Sequence, residues 1–143
     1  MKNCFIQGAI TPEFIATSIG HHQAKTDIGA HQIFLGQVRS DLIDEKEVVA
    51  IEYTAHEEMA NKAFHLIRES AFDKYDLTCM HIYHSLGKAN AGEICLFVFV
   101  SSPRRKMVQQ AIEYLVEEIK SNVPVFGKEL FKDATHVWKT NNG

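Results

Sequence analysis

Three cysteines, three prolines and one tryptophan occur in 143 residues, and no long apolar run is present. Cys4, Cys79 and Cys95 are odd in number and far apart, and no C-x-x-C pair exists. That pattern argues against a disulfide framework and a zinc site, and predicts three reduced, buried thiols in a cytosolic protein. The apolar runs are too short to span a bilayer. Met1 to Ile10 lacks the apolar core and small-residue cleavage site of a secretory signal. Positive charge is not in excess: the formal net charge is −3. This disfavours general nucleic-acid binding and requires any cationic site to be local. No G-x-S-x-G elbow, P-loop or dinucleotide fingerprint occurs, so serine hydrolases, ATPases and Rossmann enzymes lack their signal. His81 and His84 would point to opposite faces of a strand, and His21-His22 reads as a loop pair. No metal is assigned to either pair.

The chain does have the composition of an ordinary globular protein, with 45% hydrophobic and 23% charged residues. Its length fits one domain, 1–143, around one core. Cys4 to Ile10 predicts a strand. Thr11-Pro12-Glu13 then opens a helix, with Thr as N-cap, Pro at the first position and an acid in the first turn, ending near Gly20. Ile28 to Val38 predicts a long strand in which Gly36 marks a bulge or a close approach. Asp41 to Glu47 reads as a mobile loop leading to a strand over Val48 to Thr54. Glu57 to Tyr75 is a helix with Ala60, Ala63, Phe64, Ile67 and Ala71 on one face. Leu77 to Leu86 and Glu93 to Ser101 form a hairpin with a long turn, and Ile94 to Val100 is apolar enough to be buried on both faces. Ser102-Pro103 starts a last helix that ends at Asn122 and Pro124. Short extended pieces follow around Val125 to Phe131 and Thr135 to Trp138. The order predicts an α+β fold, mostly antiparallel sheet covered by helices.

Two places could carry chemistry. Arg104, Arg105 and Lys106 fall in the first turn of the last helix, where cations oppose the helix dipole. Free backbone N–H groups and two guanidinium forks there suit a phosphate or carboxylate. A solvated basic turn is the plainer alternative. Lys120 lies at the other end of the same helix, at the edge of its apolar face. Capping explains a lone lysine there, but a partly buried one can act as acid, base or nucleophile. Arg39 ends a strand just after Gly36, and alone reads as a surface arginine.

Taken together, these segments resemble the large, catalytic subunit of molybdopterin synthase. The matching residues run from Gly29 to Trp138. They are Gly29, Phe34-x-Gly36-x-Val38-Arg39, His84-x-x-Gly87 with Gly92-Glu93, then Arg104-Arg105, Lys120-x-x-x-Pro124, Lys128-Glu129 and Trp138. The resemblance implies an α/β hammerhead fold and a homodimer of large subunits within a heterotetramer. Each end would bind a small ubiquitin-like subunit whose C-terminal Gly-Gly carries a thiocarboxylate. The substrate implied is cyclic pyranopterin monophosphate, which receives two sulfurs to become the dithiolene of molybdopterin. No metal or nucleotide is implied as a cofactor. By resemblance, Lys120 and Lys128 are the catalytic lysines. Phe34, Gln37, Arg39, Arg104, Arg105 and Lys139 are substrate-binding, with the arginine pair reaching the neighbouring protomer's site.

Three departures qualify the match. Where the family carries its second functional lysine this chain has Gly127, with Lys128 one position later as its candidate substitute. A family His-Arg pair is here His84-Ser85. The histidine of the basic pair is Arg104, which is not a proton donor at neutral pH. A catalytically inactive scaffold that binds a ubiquitin-like partner is therefore the alternative reading.

Overall fold

The computed structural model describes residues 1–140, so the last three residues of the expected domain lie outside it. In chain order the elements are β1 (Phe5–Gln7), α1 (Pro12–His22), β2 (Ala30–Gln37), β3 (Leu42–Ile43), β4 (Lys46–Ala55), α2 (Glu57–Lys74), β5 (Cys79–Asn90), β6 (Ile94–Ser102), α3 (Arg105–Asn122), β7 (Val125–Phe131) and β8 (His136–Trp138). The strands form one open sheet in the order β2-β6-β5-β4-β7-β8, with β1 added to β5 and β3 to β4. Among the described residues only the β1–β5 pairing is parallel. The α+β, mostly antiparallel expectation holds.

The central strand β6 explains the layering. Leu96, Val98 and Val100 face one side, where they meet Phe64 and Ile67 of α2 and Val108, Leu115 and Ile119 of α3. Phe97 and Phe99 face the other side, where Ile15 of α1 covers them. Period-two alternation with both faces apolar is what a strand buried between helix layers requires. α1 is capped as its sequence dictates: the Thr11 hydroxyl accepts the Phe14 N–H at 3.1 Å, and Pro12 follows at the first position.

Four local expectations are corrected. Asp41 to Glu47 is not an open loop. Leu42 and Ile43 pair with Glu47 and Lys46 in a hairpin whose turn residues Asp44 and Glu45 have φ of 51° and 66°. Two positive φ values are what a tight hairpin needs, and here they come without glycine. The expected long turn after Leu86 is largely strand. β5 pairs with β6 as far as His84, then Gly87 to Asn90 pair with β4 instead. Gly87 (φ 77°) allows that change of partner. His21 and His22 belong to the last turn of α1, which runs past Gly20. α3 begins at Arg105 rather than Ser102-Pro103, because β6 continues through Ser102 and Arg104 takes the N-cap position.

Candidate active site

The end of α3 and the start of β7 are joined by Val123-Pro124. This short link sets Lys120, in the last helical turn, beside the first residues of the strand. A cavity of about 110 Å³ lies there. Its polar lining is Tyr53 from β4, His84 from β5, Cys95 from β6, Lys120 from α3 and Lys139 just beyond β8, with Gly127 of β7 contributing bare backbone. Ile119, Val123 and Val125 add apolar wall.

His84 is buried, and its Nδ1 lies 2.8 Å from the Ser85 carbonyl oxygen. A carbonyl only accepts, so Nδ1–H donates and Nε2 is left as an acceptor. Burial, reinforced by the Lys120 charge and opposed by the Ser85 bond, pushes its pKa down to about 4. The imidazole is therefore neutral at pH 7. The Tyr53 ring meets it edge-on at 5.0 Å. Burial raises the Tyr53 pKa, with Cys95 and Glu129 adding to the rise, so the phenol keeps its proton. The Cys95 thiol donates to the Gly36 carbonyl at 3.4 Å, tying the β2 bulge to the cavity wall. Glu129, two residues beyond Gly127, is only 5% exposed. Its carboxylate lies 3.8 Å from the Lys139 ammonium.

The expected site residues divide. Lys120 and Lys139 meet at the cavity. Lys128 does not line it. Strand alternation turns Lys128 away from the side Gly127 presents, and its ammonium sits 3.2 Å from Glu52 and 5.8 Å from the Trp138 ring centre. Phe34 packs against the main core, and Gln37 stands exposed at the bulge where the β2–β6 register shifts. Arg39 is exposed and paired to Asp41 at 2.7 Å. Arg104 and Arg105 are exposed at the opposite end of α3 from Lys120. The sequence reading did not single out Tyr53. No motif marks it; only its register opposite Gly127 places it in the wall.

The fold and the lysine-lined cavity define a class, the molybdopterin synthases and their relatives. The molybdopterin synthase of Staphylococcus aureus superposes with a TM-score of 0.83 at 29% identity, covering 98% of each chain. A complex of subunits 1 and 2 of the molybdopterin-converting factor from Helicobacter pylori shares the fold, with a TM-score of 0.82 at 19% identity over 97% of this chain and 90% of that one. The MoaE protein family model matches residues 10–122, and the chain belongs to that family. Among curated relatives, molybdopterin synthase catalytic subunit 1 of Aedes aegypti is 36% identical over 82% of this chain and 77% of its own length. The catalytic subunit of Bacillus subtilis is 36% identical over 76% and 69%. That of Emericella nidulans is 31% identical over 87% of this chain, which spans 64% of that longer protein.

Proposed function

We propose that this chain is the catalytic subunit of a molybdopterin synthase. It transfers sulfur from the thiocarboxylated Gly-Gly terminus of a small ubiquitin-like subunit to cyclic pyranopterin monophosphate, building the dithiolene of molybdopterin. The observation that carries the reading is Lys120 at the wall of a narrow cavity, beside a neutral buried His84, in a MoaE-family chain. A cavity of about 110 Å³ admits a chain end rather than a folded surface. Lys120 neutralises the thiocarboxylate and is placed to move a proton when the acyl–sulfur bond breaks: water takes sulfur's place at the acyl carbon, the Gly-Gly end leaves as a carboxylate, and the sulfur stays on the pterin. The apolar wall limits water, which strengthens that electrostatic contact.

Arg104 and Arg105 stand roughly 22 Å from Lys120 along α3, at ~1.5 Å per residue. They cannot serve their own cavity, and in a homodimer they complete the site of the partner subunit, gripping the substrate phosphate. Arg39, exposed just past the β2 bulge that Cys95 ties to the cavity wall, binds the same anionic substrate, with Phe34 and Gln37 framing the approach. No helix among the described residues is long and apolar enough to cross a membrane. A cytoplasmic setting fits the free, buried Cys4, Cys79 and Cys95.

The test is reconstitution with a thiocarboxylated small subunit and cyclic pyranopterin monophosphate, with product read as its fluorescent oxidised derivative. Wild-type protein is expected to form product, and Lys120→Ala to lose at least ~100-fold in rate with partner binding retained. Partner binding by the wild type without any product would overturn the reading. It would favour the inactive scaffold, for which the outward-facing Lys128 is the specific argument.

A further inference from the structure

We propose that Lys139 is the second cation of this cavity and that it binds the monoanionic end of the incoming chain, an inference that rests on the function proposed above. The Lys139 N–H donates to the Gly127 carbonyl at 2.8 Å, which fixes residue 139 beside the one position in β7 that has no side chain. A side chain on residue 127 would start in crowded space: its Cβ would stand 3.0 Å from Ile51 Cγ2 and 3.3 Å from Tyr53 Cε1. A lysine therefore enters from residue 139, across the strand pair. Lys128 is committed to Glu52 on the other face.

Glu129 orients the Lys139 ammonium. Its carboxylate is 5% exposed and close to the Lys139 Nζ. A buried carboxylate holds a cation strongly, since leaving the charge unpaired is costly. At 3.8 Å the pair is loose, and an ammonium has three donors, so capacity remains for a second anion. Lys139 also lines a separate groove with Thr54, Phe126 and Trp138, so it borders both depressions.

The charge balance names the ligand class. Lys120 and Lys139 contribute two positive charges and Glu129 one negative. His84 is neutral and Tyr53 protonated, because burial disfavours both charged forms. Two lysines at the lining make this end of the cavity cationic, which suits a carboxylate or thiocarboxylate.

The experiment uses the small subunit ending in a Gly-Gly carboxylate and the same subunit amidated at that end. Wild-type protein is expected to bind the carboxylate form at least tenfold more tightly. Lys139→Ala should lose most of that preference, and Lys139→Arg should keep it. In turnover, Lys139→Ala should raise KM for the thiocarboxylated subunit about tenfold and leave KM for the pterin within twofold. An unchanged carboxylate preference in Lys139→Ala overturns the assignment. The binding arm needs no turnover, so it judges Lys139 even where wild-type protein makes no product and the proposed activity itself has failed.

Discussion

Gly29 lies flat against Pro103. A methyl group on Gly29 would stand 2.1 Å from the Pro103 carbonyl oxygen, and the Gly29 N–H already donates to Ser102 at 3.0 Å. Both sides of the contact are backbone, so neither yields cheaply. Gly29→Ala is expected to lower stability by at least ~2 kcal/mol, in the range of strain-inducing substitutions. Urea unfolding at pH 7 measures this; a midpoint equal to wild type would show that the β2 start and the α3 entrance are not packed this closely.

Phe64 is fully buried and meets Phe5 edge-on at 5.7 Å, between α2 and the sheet. Phe64→Ala is expected to cost about 3–5 kcal/mol. A smaller loss in chemical denaturation would mean that the core closes around the missing ring.

Acid should weaken the fold through His84. Its folded pKa of about 4 lies below the ordinary 6.5, so the unfolded chain binds the proton more readily. The contribution is complete above pH 6.5 and is lost as pH falls toward 4. At about 1.4 kcal/mol per unit the loss approaches about 3 kcal/mol. His81, also held near 4 chiefly by burial, adds a loss of the same sign. Denaturation curves at pH 7 and 4.5 should differ, and His84→Asn should reduce the difference. A stability equal at both pH values would contradict the buried neutral imidazole.

If arginines from one protomer complete the other's site, two inactive variants should rescue each other. Mixed dimers of Lys120→Ala and Arg105→Ala contain one site bearing both lesions and one bearing neither. Their activity is expected to reach a sizeable fraction of wild type, while each variant alone stays low. No rescue after verified subunit exchange would place the arginines outside the partner's site.

Lys128 gives a contrasting outcome. It faces Glu52 and the Trp138 ring, away from the cavity, so Lys128→Ala should keep turnover within about threefold and shift stability by less than ~1 kcal/mol. A loss as deep as that of Lys120→Ala would restore it to the reacting centre.

Much of this arrangement was readable from the sequence because local chemistry dictates it. Thr11-Pro12 starts a helix wherever it leads, and the spacing of Ala60, Phe64, Ile67 and Ala71 names the buried face of α2 without knowledge of what covers it. Lys120 could be placed at the edge of its helix face from position alone. The split of β5 between two partners was hidden, because which strand lies alongside Gly87 to Asn90 is settled by packing far away in sequence. The contact of His22 with His81 at 2.8 Å, between residues 59 apart, left no local trace either. Lys139 was named only through the resemblance, since no periodicity reveals that the backbone beyond β8 is tied to Gly127.

β6 has a hydrogen-bonded neighbour on each side, whereas among the described residues β8 is paired on one side only, through three residues. Amide hydrogens in β6 should therefore exchange with solvent only when the whole molecule opens, and those of β8 through local release that leaves the rest intact. The cavity consequently has one fixed jaw, carrying Cys95 and His84, and one yielding jaw next to Lys139.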